Sequence, residues 1–264
     1  MNISLIGCGH MGTAIAKSLL QSPDYTVYVS NPTTPRFSLS AEQKKRFVFL
    51  RGNKEIALKS KIIILAVKPK IVESVLREIA PQLTSDHIVI SIAAGVNMAS
   101  IKRWARGHKK LVRVMPNLPA QVFAGVSVWK QLGLNKAEKK IVSTILSQFG
   151  FQTEVNSEAK IDMATAVSGG GPAYVAAFLE SSQRALQSAG YSKSDARNIA
   201  LASVIGSAVY MQKTGMEFSE VKSAVQTKGG TTEAGFKILN QKKWQAVLEK
   251  AYAAGQKRAQ ELGE

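Results

Sequence analysis

Three glycines near the N-terminus have the spacing of a phosphate-binding turn. The segment "SLIGCGHMGTAIA" places Gly7, Gly9 and Gly12 in a G-x-G-x-x-G pattern between an apolar run and a helical pattern. Gly7 permits a tight turn, Gly9 lets the backbone approach a pyrophosphate, and Gly12 lets helix and strand pack closely. The helix start then presents free N–H groups to the phosphates. The pattern predicts a dinucleotide site, with Cys8 and His10 as loop residues beside the cofactor.

The end of the second apolar run indicates which dinucleotide is bound. An NAD-selective site usually has Asp or Glu there to bind the ribose 2′-hydroxyl. This sequence instead reads "YVSNPTTPR", with Ser30 and Asn31 in that place and Thr33, Thr34 and Arg36 after them. A neutral-to-basic, hydroxyl-rich pocket suits a 2′-phosphate, so we expect NADPH rather than NADH. The alternative is that the Asn-Pro pair is only a turn.

A second glycine-rich stretch, "KGGTTEAGF" (228–236), lies late in the chain among alanine-rich helical patterns. It is typical of a helix start, which Thr231 or Thr232 can cap. Backbone N–H groups at such a start bind anions, and glycines leave room for a small ligand where a Cβ would collide. Combined with the dinucleotide pattern, the stretch predicts a carboxylate site. Taken alone, it would be an ordinary helix cap.

Acid–base and metal chemistry have few candidates in this sequence. Its histidines are His10, His87 and His108, and none lies in a catalytic pattern. The helical half has no carboxylate cluster at metal-ligand spacing, so we expect no metal. Lys68 follows a predicted strand, where it either faces the cofactor phosphates or only contacts solvent.

Short apolar runs alternate with amphipathic helical patterns up to about residue 156, which predicts an α/β fold with a parallel, doubly wound sheet of Rossmann type. After that point apolar residues recur only at helical spacing. We therefore expect a dinucleotide-binding domain at 1–156 and an all-helical domain at 157–264, with a helix ending at Gly150 before the change. The predicted strands are "NISLIG" (2–7), "TVYVS" (26–30), "RFVFL" (46–50), "KIIILAV" (61–67), "HIVISIA" (87–93), "KLVRVMP" (110–116) and "FAGVSVW" (123–129).

The predicted helices of the second half are apolar on much of their surface. Segments such as "AYVAAFLES" and "IALASVIGSAVYM" carry more apolar side chains than about one hundred residues would bury alone. Helices that are apolar nearly all round need a partner. We therefore expect a homodimer at least, with a compact monomeric bundle as the alternative.

Composition limits the class of protein. The chain has 264 residues, 45% hydrophobic and 20% charged, as in ordinary globular proteins. Its longest apolar run, "IIILAV", is too short to span a membrane, and its N-terminus lacks a signal-peptide pattern. A single cysteine excludes an internal disulfide and suits a reducing compartment, so we expect a cytoplasmic protein without a membrane partner.

The formal net charge of +17 is concentrated in residues 1–160, which hold 23 basic and 9 acidic residues. Such an excess favours either a nucleic acid or a phosphorylated ligand. The basic residues are scattered, as in "RWARGHKK", and few aromatic residues lie among them to stack on bases. A solvated basic surface is therefore the favoured interpretation, and a nucleic-acid-binding protein is the alternative.

Six motifs occur in a fixed order at sensible intervals. They are the glycine loop with Met11, "LAVKP" (65–69), "SIAAGV" (91–96), "RVMPNLP" (113–119), "AVSGGGPAY" (166–174) and "GGTTEAG" (229–235). On these residues the chain resembles pyrroline-5-carboxylate reductase, the enzyme of the last step of proline synthesis. Individual motifs are weak, but the set is specific and spans essentially the whole chain.

This resemblance implies a Rossmann-type domain followed by a helical dimerisation domain, in dimers that commonly assemble into decamers. It implies reduction of the cyclic imine 1-pyrroline-5-carboxylate to L-proline by hydride transfer to C5. NADPH would be the cofactor, with NADH as a weaker alternative. Together with Arg36, the implied cofactor contacts are Ile6, Gly7, Cys8, Gly9, His10, Met11, Gly12, Asn31, Asn53, Ala66, Val67, Lys68, Pro69, Ala93, Ala94 and Asn117.

The substrate is implied to bind against the helical domain. A protonated imine is already electrophilic and its reduction leaves no group to protonate, so positioning and electrostatics suffice while the cofactor carries the chemistry. Thr232 is the hypothetical catalytic residue, through a hydrogen bond to the ring nitrogen. The implied substrate contacts are Thr165, Ser168, Thr227, Gly230, Thr231 and Thr232.

Two positions depart from the family pattern. The usual S-G-S-G-P-A-Y appears with Gly170 in place of a serine, and the usual S-P-G-G appears with Lys228 in place of the proline. These changes affect ligand affinity and loop rigidity more than activity. The "SGGGPAY" motif itself is predicted to form a helix junction with Pro172 at position N1, and also to line the substrate pocket. A hydroxyacid or ketol-acid reductase is the alternative enzyme.

Overall fold

The structure is a computed structural model that describes residues 1–262. Eight strands form one sheet in the order 3-2-1-4-5-6-7-8. The strands are β1 (Asn2–Ile6), β2 (Thr26–Ser30), β3 (Phe47–Leu50), β4 (Ile62–Leu65), β5 (Ile88–Ser91), β6 (Leu111–Pro116), β7 (Gly125–Leu132) and β8 (Gly150–Glu154).

The first six strands are parallel, and β7 pairs antiparallel to β6 and parallel to β8. The predicted Rossmann-type fold is confirmed, since 3-2-1-4-5-6 is the strand order of that fold. All seven predicted strands are present, and β8 is an additional one. The helix predicted to end at Gly150 ends at Ser147, and Gly150, with φ +128°, begins β8. The segment "GFQTE" was missed because an edge strand needs no continuous apolar run.

Twelve α-helices accompany the sheet within the described residues. They are α1 (His10–Leu19), α2 (Ala41–Lys45), α3 (Asn53–Ala57), α4 (Pro69–Ile79), α5 (Met98–Trp104), α6 (Lys136–Ser147), α7 (Glu158–Ala164), α8 (Gly171–Ser188), α9 (Lys193–Thr214), α10 (Phe218–Val225), α11 (Thr231–Gln241) and α12 (Trp244–Glu261). Three short segments complete the list, namely 3₁₀ turns at Ala80–Gln82 and Leu118–Val122 and a π-helix at Thr165–Gly169.

The sheet has a separate hydrophobic core on each face. Successive residues of β4 divide between them, with Ile62 and Ile64 in one core and Ile63 and Leu65 in the other. Helices α1 and α6 cover the first face, and α3, α4 and α5 cover the second. A strand buried on both faces must be apolar throughout, which explains why "IIIL" contains no polar residue.

Contacts divide the chain into two compact units. One consists of Met1–Gly170 with the chain from Ala253 onward, and the other of Gly171–Tyr252. The change to all-helical structure after β8 lies close to the expected boundary at 156/157. Residues 157–170 nevertheless pack with the sheet. The end of α12 contacts α7, where Gln256 Nε2 donates to the Ala159 carbonyl at 3.3 Å.

The second unit contains few buried side chains. Within it only Ala196 and Ala200 are buried among the described hydrophobic residues, although α8 and α9 together supply many apolar residues. Its large exposed side chains include Phe178 at 62%, Ile205 at 59% and Phe218 at 78%. A patch of this kind marks an interaction surface. Within residues 1–262, no helix combines the length and apolar character needed to cross a bilayer.

Replacing Gly150 tests the junction between β7 and β8. A Cβ there would lie 2.2 Å from the Gly125 carbonyl oxygen, at a φ that side chains rarely adopt. We expect Gly150→Ala to cost more than the ~1–3 kcal/mol of backbone strain alone. Gly190→Ala is the control, because Gly190 has φ +94° but open space around it. Thermal unfolding should show a clearly larger loss for Gly150→Ala, and equal losses would contradict the steric explanation.

Candidate active site

The glycine loop connects β1 to α1 and has the geometry that its spacing predicts. Gly7 has φ +96°, and a Cβ there would lie 2.7 Å from the Ala66 carbonyl oxygen. A Cβ on Gly12 would lie 2.2 Å from the Gly7 carbonyl oxygen, so helix and loop are in direct backbone contact. A Cβ on Gly9 would meet no atom within 4 Å. The backbone at Gly9 is therefore open to a ligand, while the other two glycines are required by the fold.

The start of α1 is unprotected by side chains. Gly9 is its N-cap, no side chain caps it, and its first turn has no acidic residue. Thr13 donates the first backbone bond to the Gly9 carbonyl at 2.8 Å. Earlier N–H groups of a helix have no intrahelical acceptor. The first turn of α1 therefore offers an anion site next to the open face of the glycine loop.

Asn31 connects this loop to the end of β2. The Cys8 N–H donates to Asn31 Oδ1 at 3.0 Å, and Asn31 Nδ2 donates to the Thr33 carbonyl at 2.8 Å. Burial raises the pKa of the Cys8 thiol, although a hydrogen bond with Thr13 opposes the shift. The thiol is consequently neutral at physiological pH, and the loop has no negative charge from Cys8 to repel a phosphate.

Basic side chains surround two adjoining cavities along this edge of the sheet. The cavity in front of α1, about 590 Å³, is lined by His10, Lys17, Arg36 and Lys68. The neighbouring cavity, about 610 Å³, lies beside Asn31 and has both Arg36 and Arg51 in its wall. Among the described residues these lysines and arginines form no ion pair. We call the two cavities together the basic trough.

Two basic residues of the trough, Arg51 and Lys17, were missed from sequence. Arg51 follows β3, and only the strand order 3-2-1 brings it beside the glycine loop. Lys17 could have been predicted from sequence, because His10, Thr13 and Lys17 share one face of α1 at helical spacing. Gln121 also lines the trough, from the 3₁₀ turn Leu118–Val122.

The loop after β4 borders the glycine loop, which places residues 66–69 there, while contact of Ala93 and Ala94 with the cofactor stays a prediction. Ala66 N–H donates to the Ile6 carbonyl at 2.8 Å, and Val67 contacts Gly7. Lys68 is the N-cap of α4, with Pro69 as the first helical residue. Ala93 is buried and Ala94 is exposed at the end of the loop after β5. The structure thus brings the predicted cofactor contacts of β1, β2 and β4 to one edge of the sheet.

Asn53 and Asn117, both expected to contact the cofactor, use their side-chain amides in hydrogen bonds within the protein. Asn53 Oδ1 accepts from Ser30 Oγ at 2.7 Å, and its Nδ2 donates to Glu78 at 2.8 Å. The buried Asn117 donates to the Ser168 carbonyl at 3.0 Å and accepts from the Val126 N–H at 2.8 Å. These bonds position the loops after β3 and β6. Contact of either amide with the cofactor stays a prediction.

A π-helix, Thr165–Gly169, joins α7 to α8. The hydroxyls of Thr165 and Ser168 donate to carbonyls one turn earlier, at 2.8 and 2.7 Å. π-Helical turns occur frequently at functional sites. Pro172 is the second residue of α8 rather than its first. The predicted N1 position was therefore wrong by one residue, because α8 already begins at Gly171, after the single turn residue Gly170.

Arg113 on β6 fixes α7 to the sheet and was not singled out from sequence. Only 4% of it is exposed, and its guanidinium binds Glu158 and, at 3.0 Å, Asp162. Both carboxylates lie on α7, one turn apart. The second oxygen of Glu158 is buried without a hydrogen-bond partner. Since the π-helix continues directly from α7, this ion triad sets the position of Thr165 and Ser168 in the first unit.

In the second unit, the glycine–threonine stretch begins α11 as expected, but a different residue caps it. Gly230 is the N-cap and no side chain caps the helix, so the expectation that Thr231 or Thr232 does so was wrong. Gly229, with φ +74°, turns the chain so that both threonines fall inside the first helical turn. Glu233 accepts from the Gly229 N–H at 2.7 Å.

The remaining donors at this start are available to a ligand. The hydroxyls of Thr231 and Thr232 make no hydrogen bond within the described residues, and both lie beside the first N–H groups of α11. Thr227 accepts at its carbonyl from the Gly230 N–H at 3.0 Å. A Cβ on Gly230 would lie 2.6 Å from Thr227 Oγ1, which explains the glycine. Thr165 and Ser168 belong to the first unit, and this stretch belongs to the second.

Comparison with known proteins gives a consistent result over both units. Residues 158–262 match the family model described as pyrroline-5-carboxylate reductase dimerisation, and residues 2–95 match one described as NADP oxidoreductase, coenzyme F420-dependent. Pyrroline-5-carboxylate reductase 3 of Danio rerio is 32% identical, with 100% of this chain and 92% of the relative covered. Pyrroline-5-carboxylate reductase of Escherichia coli is 34% identical, with 98% and 97% covered.

A solved structure agrees with these sequence comparisons. The crystal structure of Plasmodium falciparum pyrroline carboxylate reductase with NADP bound superposes with a TM-score of 0.88 at 29% identity, and 100% of this chain and 98% of that chain are covered. The fold likeness therefore extends over both units and is not limited to the sheet.

Removing the Arg113 charge tests the anchoring of α7. Arg113→Met leaves the carboxylates of Glu158 and Asp162 without a counter-charge, which typically costs about 3–5 kcal/mol for a buried pair. We expect a large drop in the midpoint of thermal unfolding. The triple variant Arg113→Met/Glu158→Gln/Asp162→Asn removes all three charges and should recover most of the loss. If single and triple variants were equally unstable, packing rather than charge would be responsible.

Proposed function

Because the chain belongs to the pyrroline-5-carboxylate reductase family, we propose that it reduces 1-pyrroline-5-carboxylate to L-proline with NADPH. The observation that carries this proposal is the open backbone at Gly9 facing a trough of unpaired basic side chains. Relatives with the reductase name match over nearly the whole chain, so the similarity covers both the sheet and the helical unit.

The residues of the trough fit a dinucleotide phosphate ester. The first turn of α1 would hold the pyrophosphate, with Lys17 and Lys68 nearby. Arg36 and Arg51 would bind the 2′-phosphate, because arginine binds phosphate oxygens in bidentate fashion. Asn31, which lies at the end of β2 where an NAD-selective site has an acid, presents no negative charge there. This arrangement supports NADPH over NADH.

The substrate carboxylate would bind the first turn of α11. That turn has free N–H groups and two unused hydroxyls, while Glu233 already satisfies the Gly229 N–H. We assign Thr232 the hydrogen bond to the ring nitrogen, and Thr231 and Thr227 the support of the carboxylate. Contact of Thr165 and Ser168, which lie on the π-helix of the first unit, with the substrate stays a prediction.

When bound in the trough, NADPH would supply, from C4 of its nicotinamide, the hydride that reduces C5 of the imine. The chain itself needs no strong acid, because a protonated imine is electrophilic and the product has no leaving group. Its residues hold the carboxylate and the ring nitrogen so that C5 is presented in one orientation. The hydrogen-bond donors that bind the carboxylate are already ordered, so they need not reorient during the reaction.

The assembly is a homo-oligomer, as the match to a dimerisation model supports. We propose a dimer at least, formed through the exposed apolar side chains of the second unit, with a decamer as the larger assembly. We also propose a cytoplasmic location, based on the single cysteine, Cys8, in the sequence.

An absorbance assay at the nicotinamide band tests the reaction. With 1-pyrroline-5-carboxylate we expect oxidation of NADPH, a slower reaction with NADH, and proline as the product. A 2-keto acid of similar size is the control, and it should give no oxidation. Faster oxidation with the keto acid would support the hydroxyacid or ketol-acid alternative and contradict this proposal.

Charge removal in the trough tests cofactor selectivity. Each arginine–phosphate contact contributes about 1.5–3 kcal/mol, so losing both in Arg36→Ala/Arg51→Ala should raise the dissociation constant of NADP⁺ by about a hundredfold or more. The constant for NAD⁺ should change little. Arg77→Ala, at an exposed arginine of α4 paired with Glu73, is the control. Equal weakening of both cofactors would place the 2′-phosphate elsewhere.

The hydroxyl of Thr232 is tested by a near-isosteric change. Thr232→Val should lower kcat/KM for the imine by about tenfold, the effect of losing one hydrogen bond of about 1.4 kcal/mol. NADP⁺ affinity should be unaffected. Thr232→Ser retains the hydroxyl and should restore most of the rate. Unchanged kcat and KM in the valine variant would remove Thr232 from the site.

A further inference from the structure

A cavity of about 460 Å³ lies at the edge of the sheet opposite to the basic trough. It is bordered by the segments that lead into β5 and β6 and by Gly133, which follows β7. Because β1, β5 and β6 are parallel, their amino ends lie at the edge away from the glycine loop. The cavity is therefore separate from the proposed cofactor site, and we call it the amino-edge pocket.

The loop on one side of the amino-edge pocket is held in an unusual conformation. Arg106 and Gly107 both have positive φ, at 53° and 79°. The Gly107 N–H donates to the Lys102 carbonyl at 2.9 Å, and His108 Nε2 bonds the His87 carbonyl at 2.8 Å. A left-handed arginine is a strained residue that surrounding structure must maintain. This loop is consequently a fixed wall.

The same loop is also in close backbone contact with the segment that follows β7. A Cβ on Gly133 would lie 2.1 Å from the Lys109 carbonyl oxygen, so the backbones of the two segments touch there. Behind them, the Thr84 N–H donates to His87 Nδ1 at 2.9 Å, which fixes the segment leading into β5. All three borders of the amino-edge pocket are thus held by specific contacts.

The side chains that line the amino-edge pocket carry a net positive charge. Arg106 and Lys109 line it and are exposed, and neither forms an ion pair among the described residues. Lys110 also lines it but binds Glu138. Burial, and then the neighbouring His87 and Lys110, lower the pKa of His108 against an opposing hydrogen bond, so this ring is neutral at pH 7. No acidic side chain lines the pocket.

The remaining lining residues are apolar or carry hydroxyls. Ala80, Leu83 and Ala105 form an apolar wall, and Thr84 and Ser85 lie beside the basic residues. Ligand pockets of about 300–1,000 Å³ hold small molecules by this combination of apolar surface and a few polar groups. An extended nucleic acid would instead need aromatic side chains for stacking, and none lines this pocket.

We propose that the amino-edge pocket binds a small phosphorylated molecule with a flat apolar part, of the size of a mononucleotide. Arg106 and Lys109 bind the phosphate, with the hydroxyls of Thr84 and Ser85 as further donors. The apolar wall of Ala80, Leu83 and Ala105 contacts the flat part. This site does not depend on the proposed reaction.

Isothermal titration tests the pocket in the full-length protein saturated with NADP⁺, which keeps the probe out of the basic trough. The probes are AMP, inorganic pyrophosphate and adenosine. We expect AMP to bind with a dissociation constant below about 1 mM, pyrophosphate to bind more weakly, and adenosine not to bind detectably. Absence of binding by both phosphorylated probes would overturn the proposal.

Matched charge variants locate the binding. Arg106→Asn removes the charge with a residue that tolerates the left-handed conformation, and Lys109→Gln retains the backbone contact with Gly133. The double variant should raise the AMP dissociation constant at least tenfold. The control, Lys102→Gln/Lys136→Gln, removes two exposed charges outside the pocket and should change it less than twofold.

Three results would contradict the proposal. Equal loss of AMP binding in both double variants would indicate net charge rather than a site. AMP binding seen only without NADP⁺ would place it in the cofactor trough. Binding of a single-stranded RNA that depends on Arg106 and Lys109, without AMP binding, would assign this surface to a nucleic acid.

Discussion

The direct contact between the Gly12 position and the Gly7 carbonyl is the constraint on which the dinucleotide half depends. A Cβ at Gly12 would lie 2.2 Å from that oxygen, so no other residue lets α1 start so close to β1. This contact directs the first turn of α1 towards the carboxyl edge of the sheet, where its free N–H groups meet the loops after β2 and β4. The uncapped helix start and the neutral Cys8 thiol then act together, because neither repels an anion.

A second constraint is electrostatic and lies inside the first unit. Arg113 is buried between Glu158 and Asp162, so β6 and α7 are joined by charges that solvent barely screens. The π-helix follows α7 at once, and Asn117 at the end of β6 binds the Ser168 carbonyl. The hydroxyl-bearing turn is thus held at two points. A rigid frame of this kind is what a site based on positioning requires, since the reaction assigned to the family asks for orientation rather than for a strong acid.

The helical unit differs from the sheet unit in how little of its apolar surface is buried within the chain. Helices α8 and α9 bury little of their apolar surface within the chain, as the exposure of Phe178 and Ile205 shows. Exposed apolar surface of this extent fits the match to a dimerisation model, because association buries such surface. The loop at the start of α11, where the substrate is proposed to bind, belongs to this unit. Its donors are backbone N–H groups and hydroxyls, which do not titrate near neutral pH. The basic side chains, by contrast, are concentrated on the sheet unit, where the cofactor phosphates are proposed to bind.

Local sequence determined much of this protein. The glycine spacing, the seven strands from β1 to β7 and the apolar helices all followed from short-range pattern, because turn geometry, burial on two sheet faces and helical periodicity each act over a few residues. Edge strand β8 was not predicted, because its half-buried residues show no such pattern. Arg51 and the Arg113 triad were decided only by tertiary structure. Arg51 reaches the trough through the order of strands, and Arg113 meets carboxylates some 45 residues away in sequence. Such contacts depend on which distant segments meet, and no local pattern encodes that.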